Sequence, residues 1–183
     1  LISGCCLLLI LLGTGLSNNL IRAKIPYKSY IYNYWGEAVT SPQAYIPEKV
    51  IDSNDLAIDR IEDPVDLYVH NNTVYLLDQG QNKIIVLNKK LNLEETIEKF
   101  QYQNKTETFK QPSGIFVTTQ GNIYVADTGN NRVVVLNSKG ELKKIIGKPE
   151  TEVGGVFTGD FNYSPKKVAV DPLGRVYVIA ENI

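Results

Sequence analysis

The hydrophobic residues of this chain fall into short runs that are separated by turn residues. The runs at 74–77 (VYLL) and 123–126 (IYVA) are apolar at consecutive positions, not at alternate ones. A strand with this pattern must be covered on both faces. Stacked small antiparallel sheets cover both faces of each sheet, and the radial form of that stack is a β-propeller.

The order of strands and turns repeats along the chain. We predict strands at 65–70, 73–77, 83–88 and 93–99, again at 114–118, 123–126, 132–137 and 141–146, and a third time at 166–170 and 175–179. A self-similar unit of roughly 50 residues is typical of a repeat architecture.

The residues that match best between the first two units lie in the turn after the second strand. They are Asp78, Gly80, Asn82 and Lys83 in the first unit, and Asp127, Gly129, Asn130, Asn131 and Arg132 in the second. We predict that the glycines supply positive φ, that the asparagines tolerate the left-handed region, and that each aspartate accepts backbone N–H bonds. We expect an ion pair between the aspartate and the basic residue of the same unit or of the next unit. Because these residues recur in successive units, a structural role is favoured over a catalytic or metal-binding role.

Residues 112–142 (PSGIFVTTQGNIYVADTGNNRVVVLNSKGEL) resemble an NHL repeat, as do residues 64–93. Residues 165–179 resemble its opening, but Ala180-Glu181-Asn182 then replaces the expected Asp turn. The resemblance implies an all-β fold, a propeller of four-stranded antiparallel blades. We place blades at 62–100, 109–147 and, cut short, 163–183. About two and a half blades do not close a ring, and the chain lacks an initial Met, so we expect a fragment with more blades downstream.

The segments before the blades have a different composition. Residues 1–23 contain an apolar run and the only cysteines, Cys5 and Cys6, which predicts a signal peptide or an N-terminal anchor. Residues 24–61 are rich in tyrosine, and we expect them to pack on the propeller. This segment resembles the start of bacterial secreted NHL-repeat proteins of the gluconolactonase-like kind. The expected location is therefore secreted or cell-surface, in a bacterium.

The remaining chemistry offers no catalytic residue. The net charge is −1, and the absence of a basic block excludes the usual nucleic-acid binder. His70 is the only histidine, and no GxSxG motif is present. No cofactor is predicted. The gluconolactonase-like resemblance implies Ca²⁺ or another divalent ion as the alternative, with carboxylate candidates at Asp63, Asp66, Asp78, Asp127, Asp160, Asp171 and Glu181.

Three functions remain open on these observations. The first is a non-catalytic binding or scaffold module that takes a protein, peptide or glycan on the top face of the propeller, where loops carry specificity. The second is a gluconolactonase-like hydrolase in which a metal ion polarises a lactone carbonyl. The third is a sensor domain tethered to membrane segments that lie beyond this sequence.

Overall fold

The computed structural model describes residues 7–9, 30–40, 49–149 and 163–181, and the chain divides into two compact units, Leu1–Asp52 and Ser53–Ile183. In the smaller unit, strand β1 (Leu7–Leu9) pairs antiparallel with β4 (Lys49–Ile51), and β2 (Tyr30–Tyr32) pairs antiparallel with β3 (Ala38–Thr40). Most of residues 1–23 lie outside the described residues. The predicted signal, and the packing of residues 24–61 on the blades, stay predictions.

The larger unit begins with a four-stranded antiparallel meander. Its strands are β5 (Pro64–His70), β6 (Thr73–Asp78), β7 (Lys83–Leu87) and β8 (Leu93–Ile97), and they pair in chain order. Each observed strand lies within two residues of its predicted bounds. We call this sheet blade 1.

A hairpin that the sequence pattern did not predict follows blade 1. It is formed by β9 (Lys99–Tyr102) and β10 (Lys105–Thr108). Gln103 and Asn104 connect the two strands, and both have positive φ, 50° and 61°. A pair of positive φ values is what a tight two-residue hairpin turn requires.

Blade 2 repeats the meander. Its strands are β11 (Gly114–Val117), β12 (Ile123–Asp127), β13 (Arg132–Leu136) and β14 (Leu142–Ile146), with a 3₁₀ turn at Thr128–Asn130. A third sheet, which we call unit 3, consists of β15 (Ser164–Val170) and β16 (Val176–Glu181). Two four-stranded antiparallel sheets, followed by the two-stranded sheet of unit 3, confirm the predicted fold class of incomplete propeller blades.

The hydrophobic core lies between the sheets of the two blades. The middle strands carry it: β7 is buried at every position, and β6, β12 and β13 nearly so. This explains the consecutive apolar residues, since each middle strand is covered on both faces. Fully buried members include Leu77, Ile84, Ile123 and Val134.

The first strand of each unit lies beside the first strand of the next, so that β5, β11 and β15 form the inner row of the arrangement. Of these inner strands, β5 and β15 are less buried than the middle strands; Val69 on β5 is 56% exposed. Their side chains therefore meet one another and open space, which makes this row the place to look for a site. Within the described residues, no helix is both long and apolar enough to cross a membrane.

Candidate functional site

A cleft of about 480 Å³ lies where the three inner strands end. It is bounded by the ends of β5, β11 and β15 and by the turns that follow them. Its lining combines aromatic, aliphatic and neutral polar side chains: Tyr68, His70, Phe116, Val117, Thr118, Thr119, Gln120, Asn122, Tyr124, Val170, Asp171, Pro172 and Leu173, with Gly174. Its volume falls within the range of small-ligand sites.

One paired position of the repeat supplies aromatic rings to the cleft. The equivalent tyrosines of the second strands, Tyr75, Tyr124 and Tyr177, face Tyr68, Phe116 and Ala169 across the inner pairing. The rings of Tyr68 and Phe116, which both line the cleft, pack together with centroids 4.8 Å apart at 56°. Unit 3 has a methyl group where the others have a ring.

The turn after β15 is organised by Asp171 at the cleft wall. Its carboxylate accepts bonds from the backbone N–H groups of Leu173 and Arg175, both at 2.9 Å, from Arg175 Nε at 2.5 Å and from the Tyr177 hydroxyl at 3.2 Å. Desolvation acts to raise the pKa of Asp171, but the bonds from Arg175 and Tyr177 outweigh it and hold that pKa below its ordinary value. The carboxylate is thus ionised, paired and committed to the turn.

His70 ends β5, at the position that Asp171 has in unit 3, and it also lines the cleft. Its Nε2 lies 2.9 Å from Asn71 Nδ2 at the exposed turn. Across the described ranges, no three His, Cys, Asp or Glu side chains are grouped so as to hold a metal ion. Asp160, one of the carboxylates considered from the sequence, falls outside those ranges.

The predicted turn residues lie at the other end of the blades from the cleft. Asp78 pairs with Pro64, at the start of β5, whereas the cleft is at the end of that strand. Both turn aspartates are fully buried. Asp78 accepts the backbone N–H groups of Glu62 and Asp63, at 3.0 and 2.9 Å, and Asp127 accepts that of Lys110 at 2.7 Å. Each aspartate therefore fixes the segment by which the chain enters its own blade.

The prediction of positive φ at Gly80 and Gly129 is wrong. Neither glycine is in the left-handed region; Asn82 and Asn131 are, at 52° and 53°. The glycines are needed for close approach instead. A Cβ at Gly80 would lie 2.6 Å from Glu62 Cγ, and a Cβ at Gly129 would lie 2.8 Å from the Lys110 carbonyl oxygen. There is no room for a side chain between the turn and the entering segment.

The basic residues of the two turns differ. Arg132 Nε donates to Asp127 Oδ2 at 2.8 Å, and Arg132 also bonds Glu107 of the β9–β10 hairpin. Lys83 is buried, and its Nζ donates to Gln81 Oε1 at 3.4 Å. The expected ion pair therefore forms in the second turn, between Asp127 and Arg132, whereas Lys83 contacts Gln81 in the first. Asn130 adds a bond from its Nδ2 to Asp127 Oδ2 at 2.9 Å.

Other side chains of these turns reach the following unit. Gln79 Nε2 donates to the Pro112 carbonyl at 3.1 Å, and the equivalent Thr128 hydroxyl donates to the Pro165 carbonyl at 2.6 Å. Asn82 Oδ1 accepts Gln111 N–H at 2.7 Å, and the amide nitrogen of Asn131, in the orientation that suits its neighbours, lies 3.0 Å from the Tyr163 carbonyl oxygen.

The match to a family model agrees with this geometry. The family model of the NHL repeat matches residues 109–136, which are β11 to β13 with the segment that enters them. The chain contains an NHL repeat. No curated protein sequence matches it. Among the solved structures, a chain of Kuenenia stuttgartiensis hydrazine synthase is similar, with a TM-score of 0.47 and 15% identity over 64% of this chain and 29% of that chain.

The NHL repeat also explains why the cleft was not found from the sequence. Its recognisable residues are the turn residues that connect blades, and these lie away from the cleft. The residues that form the cleft, such as Tyr68, Phe116 and Leu173, differ from unit to unit and show no motif.

Proposed function

We propose that this chain is a non-catalytic, extracytoplasmic binding module, and that its ligand site is the cleft at the ends of β5, β11 and β15. The cleft carries the proposal: about 480 Å³ of mixed aromatic and polar lining, built on three adjacent strands. Strands hold side chains more rigidly than loops do, and the three turns at the rim can vary without disturbing the strands.

The buried polar groups support a binding role for this end of the molecule. Asp78 and Asp127, the fully buried carboxylates, are engaged by backbone N–H groups at the far end of the blades. Asp171, the carboxylate of the cleft, is engaged by Arg175 and Tyr177. The cleft therefore presents aromatic rings, hydroxyl groups and amide groups, which bind a ligand without reacting with it.

The test of the binding module uses a variant that fills the cleft. Thr119→Trp adds a large ring at an exposed position of the cleft lining, where the core is not disturbed. Val69→Trp is the matched control, because it adds the same ring to an exposed position that does not line the cleft. We expect ligands selected from a random peptide library or a glycan array to lose binding at least tenfold with Thr119→Trp and to keep it with Val69→Trp. Ligands that bind both variants equally would place the site elsewhere.

The location outside the cytoplasm rests on the apolar run in residues 1–23. An alkaline phosphatase fusion after residue 149 checks it, since this reporter is active only after export. Activity that disappears when residues 1–23 are removed is the expected result. Equal activity with and without them would overturn this part of the proposal.

A further inference from the structure

The β2–β3 hairpin of the smaller unit exposes its large apolar side chains. Tyr30, Ile31 and Tyr32 on β2 are between 56% and 66% exposed, and Tyr34 and Trp35 in the connecting turn are 94% and 79% exposed. Single exposed apolar residues are ordinary on a protein surface, but a contiguous group of them marks an interaction site. The hairpin therefore offers a surface that another body can cover.

Hydrogen bonds around Asn33 fix the two rings of the turn at its tip. Asn33 Oδ1 accepts the backbone N–H groups of Trp35 and Glu37, both at 3.0 Å, and Asn33 Nδ2 donates to Glu37 Oε2 at 2.9 Å. Gly36, at a φ of 78°, donates its N–H to the Asn33 carbonyl at 3.0 Å. The rings of Tyr34 and Trp35 meet edge to face, with centroids 5.9 Å apart. The tip is thus a preformed, projecting pair of aromatic rings.

The composition of the hairpin fits the interfacial region of a lipid bilayer. Tyrosine and tryptophan combine an apolar body with one polar group, and both are enriched where hydrocarbon meets headgroups. Within residues 30–40 there is no lysine or arginine, and the one charged residue is Glu37, whose carboxylate binds the Asn33 amide. Anionic lipids attract basic residues, which this segment lacks. Its charge therefore suits zwitterionic headgroups, whose net charge is zero.

The hairpin also lies close in sequence to the N-terminal apolar run. Both belong to the smaller compact unit, Leu1–Asp52. Residues 13–29 separate the end of the run from β2, and even a fully extended chain of that length spans no more than about 60 Å. An apolar run of this kind is a signal peptide or an N-terminal anchor, and either one brings the start of the chain to a membrane. This continuity favours a lipid surface over a protein partner for the hairpin.

We infer that the β2–β3 hairpin is a membrane-contact element that inserts Tyr34 and Trp35 into the headgroup region of a zwitterionic bilayer. Tyr30 and Tyr32 follow along one face of β2, where their rings meet edge to face with centroids 5.8 Å apart. Each inserted ring removes apolar area from water, and a few such rings give a reversible attachment. This role does not depend on the cleft of the larger unit.

The fluorescence of Trp35 tests the inference, because Trp35 is the only tryptophan of the chain. The full chain is titrated with phosphatidylcholine vesicles, and with the same vesicles carrying bromine on the acyl chains near the headgroup. We expect the Trp35 emission to shift to the blue and to be quenched by the brominated lipid. The affinity should change less than twofold between low and high salt, since no basic residue of the hairpin takes part.

Variants of the turn separate the tip from the apolar run, which can bind vesicles by itself. Tyr34→Ser removes one ring of the tip, and Asn33→Ala removes the bonds that hold the turn. We expect each to reduce the lipid quenching of Trp35 at least threefold. Leu173→Ser is the matched control, because it removes an apolar side chain that is 80% exposed in the larger unit, and it should leave the quenching unchanged. Circular dichroism of each variant shows that a loss of quenching is not a loss of fold.

Three results would overturn the inference. The first is a Trp35 that stays open to aqueous iodide and unquenched by brominated lipid, even if the chain sediments with vesicles, because the apolar run alone would then bind. The second is a Trp35 that is already shielded from iodide in a lipid-free monomer, as packing on the blades would produce. The third is the same shielding in a lipid-free dimer, identified by sedimentation velocity, which would make a second copy of the chain the occupant.

Discussion

Two buried aspartates and two glycines show how single residues define the end of a blade. Asp78 and Asp127 accept hydrogen bonds from backbone N–H groups of the segment that enters the blade. Both aspartates are fully buried, and a buried acceptor left without a donor costs about 1–3 kcal/mol, so these bonds stabilise the turn in units 1 and 2. Gly80 and Gly129 let the turn come close enough for those bonds to form.

Gly129→Ala tests the close approach directly. The new Cβ would lie 2.8 Å from the carbonyl oxygen of Lys110 and 3.1 Å from its carbonyl carbon, and these backbone atoms cannot move aside as a flexible side chain can. We expect a loss of about 1–3 kcal/mol in the free energy of unfolding, measured by urea titration. Gly147→Ala is the control, because no atom lies within 4 Å of its Cβ position and its φ is not positive. Equal stabilities of the two variants would contradict the close-approach explanation.

At the scale of the elements, the β9–β10 hairpin is attached to the blades by Arg132 and by the packing of Phe100 in the core. Arg132 is only 13% exposed, bonds Glu107 on the hairpin and Asp127 in its own turn, and lies 5.4 Å from the centre of the Phe100 ring. Burial acts to lower the pKa of Arg132, and the bonds to both carboxylates raise it overall. A planar guanidinium can serve two carboxylates and a ring at once, which a lysine ammonium does less well.

Glu107→Gln removes the hairpin's ion pair and keeps the buried Asp127–Arg132 pair. We expect the backbone amides of residues 100–108 to exchange hydrogen several times faster, while the global unfolding free energy falls by no more than about 1 kcal/mol. Hydrogen-exchange mass spectrometry measures the first quantity and urea titration the second. Lys105→Gln, at the exposed hairpin tip, should leave both unchanged. Unaltered exchange in Glu107→Gln would mean that Phe100 packing alone holds the hairpin.

The sequence predicted the strands whose positions follow from local hydrophobic and turn patterns. It did not predict the features that depend on contacts between distant segments. The prediction of 123–126 differs by one residue from Ile123–Asp127, because an apolar run between turn residues leaves little freedom. The hairpin was missed because its residues are mostly polar and only Phe100 is buried in it. The glycines were assigned the wrong cause because close approach to Glu62 or Lys110 is visible only in three dimensions.

For the whole molecule, the inner row of strands decides how the units are joined. Asp66 on β5 accepts the Ile115 N–H group of β11 at 3.0 Å, and the same carboxylate oxygen lies 3.0 Å from Lys167 Nζ on β15. One carboxylate therefore connects all three units. Stability in a repeat architecture is a sum of unit and interface contributions, and Asp66 contributes to two interfaces.

Asp66→Ala leaves the Ile115 N–H group without this acceptor. We expect a loss of about 1–3 kcal/mol in the free energy of unfolding. Lys167→Ala should cost less than about 1 kcal/mol, since it removes only a half-exposed ion pair. Asp59→Ala, on the exposed surface before β5, serves as the control. A larger effect from Lys167→Ala than from Asp66→Ala would show that the ion pair, and not the backbone bond, joins the inner strands.

In these hydrogen bonds between units, the earlier unit supplies the side chain and the following unit supplies the backbone group. Gln79, Asn82 and Thr128 supply side chains, and the following unit supplies backbone groups at Gln111, Pro112 and Pro165. Every amino acid except proline offers the same backbone N–H, and all offer the same C=O. Each unit thus contains the side chains that join it to the next unit, and few particular side chains are required in that next unit. Duplication of the coding sequence for such a unit also duplicates the residues that join it to its neighbour. Arrays of this kind can therefore lengthen by copying while the residues at the cleft diverge.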